Sequence, residues 1–477
     1  MKRKLAALLN SRTTFYGLLL LFAVSSFSTF WYGHVTGFSD EGHYWSLAKG
    51  LHHGKFSAWY FLPVSTPETL RTWGYPFFLY LCQFISSSYL FVQVVQLFLY
   101  AITIVMCCRI IRHYYPALMY RSVFILLLAF NNHIAFYAGI LVAESLFIFF
   151  ITWFVYVYIF YRENYKKFVL LALISFILFQ LRPLFLLFPV LLFLYMLLKK
   201  RNLRYNIVYL AMFLVSLVPF GFWNKANHGV FKITPLEGGY GVMYQGGYWD
   251  YRLPVGFTAP YYWGMAIDDD LLQPPFLSKE EQQKEAIRYV AEWESILTEL
   301  KKDHYSREDS LREIYEYDTA YLKLRNFIIY GSNYTIAREK ILKRNVMREI
   351  KDHPGFYFKT RVYNFFRQWV TGINADQLRN TVGIKGYAKA LYPFLVTFVF
   401  ILCGLLWVTI LLIRRKLSWK KFEIFFLLIG YFAIMNLPFS VMSRYTVPVH
   451  LLILIMVAVS LVNLLSKRSD SLRSTEA

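Results

Sequence analysis

Cysteine is scarce in this chain and badly placed for cross-linking. The four residues Cys82, Cys107, Cys108 and Cys403 all lie in apolar stretches. They form no disulfide framework, and their spacing is not that of a zinc site. Acidic residues are as sparse over most of the chain: of 29, 21 fall between 224 and 388. No internal repeat is visible, which argues against the duplicated architecture common in transporters. The glycine-rich run from Glu237-Gly238-Gly239-Tyr240-Gly241 to Gly246-Gly247 lacks the strand and the Lys-Ser/Thr that make a phosphate loop.

Apolar residues, by contrast, make up 57% of the 477 and aromatics 20%, which excludes both disorder and an ordinary soluble protein. Several apolar runs approach the ~20 residues that cross a bilayer as a helix. They fall near 13–33, 89–113, 117–137, 142–162, 167–181, 184–198, 206–223, 391–413, 422–438 and 446–465. The stretch 74–88 reads equally as interfacial, re-entrant or spanning. The N-terminus is basic and then apolar from Phe15 to Trp31 without a small-residue cleavage site, the pattern of an uncleaved signal anchor. The expectation is an α-helical polytopic membrane protein.

The formal charge is +22, and its distribution reports topology. Segment 224–388 is nearly balanced. The excess clusters at alternate ends of the apolar runs: Lys2–Lys4 with Arg12; Arg109, Arg112 and Arg121; Arg162, Lys166 and Lys167; Lys199–Arg201 with Arg204; Arg414–Lys416 with Lys420 and Lys421; Lys467, Arg468 and Arg473. Ten spans put every cluster on one side, which the positive-inside rule makes cytoplasmic. Both termini are then cytoplasmic. No basic patch stands apart from the spans, so a nucleic-acid partner is not expected.

Three parts follow: 1–223, apolar, with a first external loop at 34–73; 224–388, external; and 389–477, apolar. The first loop opens with Ser39-Asp40-Glu41-Gly42-His43-Tyr44, where Ser39 is expected to cap a short amphipathic helix with Trp45 and Leu51 toward lipid. Trp59–Phe61 read as an interfacial aromatic belt. Glu144 sits near the external end of its span, where an unpaired carboxylate would cost roughly 3 kcal/mol, so it needs a polar cavity or a partner. Arg182-Pro183 interrupts an apolar run, with the arginine either snorkelling or binding an anion. In 224–388, Asp268–Asp270 read as a solvated charge run. Ser278-Lys279-Glu280-Glu281 is a capping box opening a helical stretch to Arg348, and His353-Pro354 precedes an amphipathic helix. Ser443-Arg444-Tyr445 opens the last span after a turn at Asn436-Leu437-Pro438.

This topology gathers Asp40, Glu41, Arg71, Glu144, Arg182 and Arg444 on one leaflet. Arginine's fork suits phosphate oxygens, and a carboxylate beside a hydroxyl can serve as general base. Adjacency of Asp40 and Glu41 predicts mutual repulsion that raises one of the two pKa values.

The same residues resemble the GT-C membrane glycosyltransferases, in particular the branch of protein O-mannosyltransferases and lipid A aminoarabinose transferases. The shared features are Asp40-Glu41 with Tyr44 and Ala48, Arg71 ahead of Tyr75-Pro76, Glu144-Ser145 (reversed from the usual order), Arg182-Pro183, and Ser443-Arg444-Tyr445 with Pro448. The resemblance covers most of the apolar part but not 237–350. It implies a bundle of about ten to twelve transmembrane helices with a mainly helical external domain. It also implies inverting transfer from a polyprenyl-phosphate sugar to a glycan, lipid or protein hydroxyl. Asp40 and Glu41 would be catalytic; Tyr44, Arg71, Tyr75, Glu144, Arg182, Arg444 and Tyr445 would bind substrate. The resemblance names no certain cofactor and leaves a divalent cation open. The matching location is a bacterial inner membrane with the site facing the periplasm. The competing expectations are a transporter or flippase for lipid-linked glycans, and an assembly scaffold. For the topology, a Ser278→Cys variant is expected to label with membrane-impermeant maleimide from the external side; labelling only from the cytoplasmic side would overturn the arrangement.

Overall fold

The computed structural model describes residues 2–38, 40–61, 67–244, 250–257, 270–272, 276–291, 332–374, 378–381, 383–439 and 442–471. Among these, every regular element is helical, and one isolated antiparallel bridge joins Asp270 to Asn374. In chain order the helices are α1 (Lys2–Leu9), α2 (Arg12–Thr36), α3 (Glu41–His52), α4 (Gly74–Gln83), α5 (Tyr89–Tyr114), α6 (Leu118–Phe130), α7 (His133–Phe136), α8 (Glu144–Phe160), α9 (Tyr165–Leu181), α10 (Phe188–Leu198) and α11 (Leu203–His228). After the central region come α12 (Ser332–Asp352), α13 (Pro354–Arg367), α14 (Gly383–Val396), α15 (Cys403–Ile413), α16 (Trp419–Met435) and α17 (Val447–Ser471).

Five stretches are long and apolar enough to cross a membrane: α2, α5, α11, Gly386–Ile413 across α14 and α15, and Val447–Leu465 within α17. The chain is an α-helical membrane protein. The remaining expected apolar runs appear as the shorter helices α6, α8, α9, α10 and α16, and the ambiguous stretch 74–88 holds the ten-residue α4.

Helix α2 shows how the pattern is used. Its buried residues Phe22, Ser26, Phe30 and Gly33 recur at spacings of four and three and face α6 and α7. The opposite stripe of Leu20, Val24, Phe27, Trp31 and Val35 is exposed, as a lipid-facing surface is. Helix α17 is apolar all round and lies in the middle, packed against α6, α8, α15 and α16.

Two close backbone approaches set the upper end of the bundle. Gly33 of α2 meets Phe136 and Gly139, and Gly139 in turn lies against the Phe30 carbonyl. Gly74, at the start of α4, rests on the backbone of Gln180, whose carbonyl would be 2.5 Å from an added Cβ. Between α7 and α8 the chain leaves helical geometry over 138–143, and its carbonyls need side-chain donors. Gln93 Nε2 donates to Gly139 O (2.7 Å), and Gln96 Nε2 donates to Ala138 O (3.2 Å) and Ile140 O (2.8 Å).

The opposite end is tied by its own polar contacts. Asn10 caps the Met119 N–H, Tyr120 donates to Asn463, and Arg201 reaches Glu163 and Glu423. Glu423 also accepts from Tyr158 and Tyr195.

The regular elements of the central region are helical among the described residues. Ser278 and Glu281 form the expected capping box, the Ser278 N–H donating to Glu281 at 2.8 Å. Residues 292–331 of that stretch lie outside the described residues, as do Ser39, Leu62, Gly246, Gly247, Asp268 and Asp269. Asp270 is not a solvated charge: it pairs with Arg367 and accepts the N–H of Leu272 and Ile373. Its role is to fasten the end of α13. Beyond α13, the Gln368 carbonyl accepts from Thr446 (2.7 Å), its amide donates to Ala433 O (3.1 Å), and Arg361 donates to Leu437 O (2.5 Å). These bonds hold the turn between α16 and α17. Replacing Gly139 by alanine is expected to cost about 1–3 kcal/mol through overpacking against Phe30. Thermal unfolding of the detergent-solubilised protein should show this loss, whereas Gly430→Ala, with open space around its Cβ, should show none.

Candidate functional site

The site forms where the ends of α2, α8, α9 and α17 converge on the loop 67–73 and the start of α3. Asp40 occupies the N-cap position of α3. Its Oδ1 accepts from Arg71 Nη2 at 3.0 Å, and its Oδ2 from Arg444 Nη1 at 3.2 Å. Glu144, the first residue of α8, accepts from Arg182 Nη2 at 2.5 Å, and Arg444 Nε stands 3.8 Å from the same oxygen. Arg444 therefore spans both carboxylates. Tyr445 lies between two guanidiniums, 5.3 Å from that of Arg182 and 5.5 Å from that of Arg444.

Local chain geometry explains each placement. Arg182 ends α9 because Pro183 cannot continue it, and a 3₁₀ turn over Pro183–Leu187 follows. Arg444 sits in the 3₁₀ turn Ser443–Tyr445, anchored by the Thr446–Gln368 bond. Arg71 is fixed through its backbone. Glu68 Oε1 accepts the N–H of Leu70 (3.0 Å) and of Arg71 (2.9 Å), while Thr72 and Trp73 bond Gln180. The guanidinium lies over the Tyr44 ring at 4.9 Å, Tyr44 packs edge-on to Tyr75 at 4.9 Å, and the Tyr75 hydroxyl donates to Gln96. Tyr44 and Tyr75 are buried supports beneath Arg71.

Burial sorts the carboxylates. The Asp40 side chain is 23% exposed and reachable; that of Glu144 is 4% exposed and is not. Burial works against ionisation of Asp40, but the charges of Arg71 and Arg444 outweigh it and hold its pKa below 3.8. Asp40 is therefore not the carboxyl that mutual repulsion raises. Glu41 turns away from Asp40, accepting the Leu141 N–H at 2.7 Å and approaching Gly37. Its carboxylate joins α3 to the non-helical segment that delivers Glu144.

All nine expected site residues are in this region, in three different settings. Asp40, Arg71, Arg182, Arg444, Glu144 and Tyr445 meet directly; Tyr44 and Tyr75 back them; Glu41 is a backbone strap. The arginines are not free of acids, as their sequence neighbourhoods suggested, because Asp40 and Glu144 reach them across the fold. Trp45 faces inward, packed on Tyr89 at 4.4 Å, rather than toward lipid. Sequence reasoning missed Glu68, His43, Gln93, Gln96 and Gln180. The glutamines had a signal, since polar amides in apolar helices need partners.

Arg71 Nε and Arg444 Nε are buried without a hydrogen-bond partner. Arg71, Arg182 and Arg444 thus face the carboxylates of Asp40 and Glu144, with Glu68 also acting on Arg71, and two guanidinium N–H groups remain without an acceptor. Among the described residues no group of three or more His, Cys, Asp or Glu side chains is placed to hold a metal ion. Comparison of the chain with family models, with curated proteins and with solved structures finds no match.

The strap role of Glu41 has a clean test. Glu41→Gln keeps an acceptor for Leu141 N–H and is expected to retain fold and function. Glu41→Ala leaves that N–H unpaired and should cost about 1–3 kcal/mol in thermal unfolding. Loss of function with intact stability in Glu41→Gln would make Glu41 chemical instead.

Proposed function

We propose that the chain is an integral membrane glycosyltransferase that moves a sugar from a polyprenyl-phosphate carrier to an acceptor hydroxyl, within the GT-C superfamily that its motifs resemble. The observation that carries this reading is the arginine trio around a reachable carboxylate, with two buried guanidinium N–H groups unpaired. A phosphate anion would accept from those donors. The shorter apolar helices join the five long ones in a bundle of about ten to twelve spans. The site end faces outward, the periplasm of a bacterial inner membrane, because the basic clusters lie at the other end.

The charged groups gather at helix ends on one side of the bundle rather than along its middle, and this favours surface chemistry over a transport path. In the proposed reaction the carrier phosphate binds Arg71, Arg182 and Arg444. By drawing Arg71 and Arg444 from Asp40, it makes that carboxylate more basic as the acceptor arrives. The acceptor oxygen attacks the anomeric carbon, its proton goes to Asp40, and the bonding pair leaves on the phosphate. One displacement inverts the anomeric configuration. Glu144 holds Arg182 and Arg444 in register. Whether a divalent cation assists is left to the chemistry of the donor.

Mass comparison of envelope glycolipids and glycoproteins from cells with and without the protein should reveal one missing glycoform, and proton NMR of that product gives its anomeric configuration. Asp40→Asn is expected to abolish transfer while farnesyl phosphate still binds. Arg444→Ala, losing charged hydrogen bonds of about 1.5–3 kcal/mol, should lower kcat/KM roughly 10–150-fold. Retained configuration would refute single displacement, and unchanged glycoforms would refute the transferase reading.

A further inference from the structure

Beside Asp40 lies a carboxylate–imidazole pair that the displacement leaves unused. The Glu68 side chain is 7% exposed, and its Oε2 meets His43 Nε2 at 3.1 Å. Its other oxygen is occupied by the backbone N–H groups of Leu70 and Arg71, so the carboxylate cannot swing away. Burial opposes its ionisation, and the charge and hydrogen bond of His43 with the two backbone donors overcome this, keeping the pKa below 4.5. His43 follows Asp40 by three residues, which puts both side chains on one face of the first turn of α3. With Nε2 turned to Glu68, the Nδ1 of His43 has no hydrogen-bond partner among the described residues, and the side chain is 25% exposed. The other charged or titratable groups around the pair are Arg71 on the facing loop and His228 of α11, which interacts with Glu68.

We infer that His43, oriented by Glu68, takes from Asp40 the proton that the acceptor hydroxyl gives up, resetting Asp40 for each turnover. The inference rests on the transferase reading above. The acceptor O–H bond breaks and its proton passes to an Asp40 oxygen. The O–C bond to the anomeric carbon forms as the C–O(phosphate) bond breaks, its electron pair staying on phosphate. The proton then moves from Asp40 to His43 Nδ1, and the imidazolium releases it to water at the opening. The second transfer follows the order of basicity, an imidazole being a stronger base than a carboxylate. A buried carboxylate holding one imidazole nitrogen selects the tautomer with the other nitrogen free to accept and stabilises the imidazolium, as in other carboxylate–histidine pairs. His43 acts through Asp40 and is a positioning and proton-accepting partner, not a group in contact with the sugar.

The test uses the purified full chain with polyprenyl-phosphate mannose as probe donor, assayed between about pH 5 and 8, where imidazole titrates. Wild-type turnover should fall as the pH drops and His43 stays protonated. His43→Gln and His43→Asn both keep an amide donor for Glu68. They should bind farnesyl phosphate like wild type yet turn over about 10–100-fold more slowly at neutral pH, with no acid limb in this range. Glu68→Gln should keep the limb but displace it to lower pH, because the imidazolium loses its counter-charge. A wild-type limb and rate in both His43 variants overturns the inference while leaving the transferase reading intact. Wild-type protein that neither moves mannose nor binds farnesyl phosphate overturns both.

Discussion

One arginine holds the upper end of this protein together. The Arg444 guanidinium reaches Asp40 from one side and approaches Glu144 from the other, joining the third helix, the eighth helix and the last. Charges this far from bulk water are stable only in company. Each neighbour is therefore built to keep Arg444 supplied: the Thr446–Gln368 bond fixes its turn, Phe38 lies 5.0 Å beneath it, and Arg182 shares with it one oxygen of Glu144. Three guanidiniums converge here, and the Nε–H groups of Arg71 and Arg444 have no acceptor. Those unmet donors are the physical content of the proposed anion site.

The second constraint is the backbone. A chain leaving helical geometry among apolar helices must find partners for its amides. Gln93 and Gln96, one turn apart on α5, serve the carbonyls of 138–140, and Glu41 serves the N–H of Leu141. Once these are satisfied, Glu144 can start α8 at the depth where Arg182 and Arg444 lie. The same logic fixes Arg71, whose loop is bonded to Glu68 and to Gln180. Buried polar residues that serve the backbone thus decide where the arginines and carboxylates of the cluster stand.

Much of this was legible in the sequence, for a simple reason. In an apolar chain each charge is conspicuous, so Asp40, Arg71, Glu144, Arg182 and Arg444 could be gathered from their positions relative to the spans. The helix break at Arg182-Pro183 and the capping box at Ser278–Glu281 are local chemistry and were equally readable. Pairing was not readable, because Asp40 meets its arginines 31 and 404 residues away. For the same reason one of the two adjacent carboxyls was expected to have a raised pKa, whereas that of Asp40 is lowered: Glu41 was visible in the sequence and the arginines were not. Trp45 was assigned to lipid because a helix pattern shows that faces differ, not which face meets α5. Glu68 was overlooked as one acid in a polar loop, although its burial makes it the anchor of Arg71.

The span of 404 residues between Asp40 and Arg444 also has a meaning in time. At the usual ~5–20 residues per second of synthesis, roughly 20–80 s separate the emergence of the two. Through that interval Asp40 has only Arg71 for company, and Glu144 only Arg182. Two separate ion pairs therefore stand first, and the link between α3 and α8 is made only when the turn that carries Arg444 arrives.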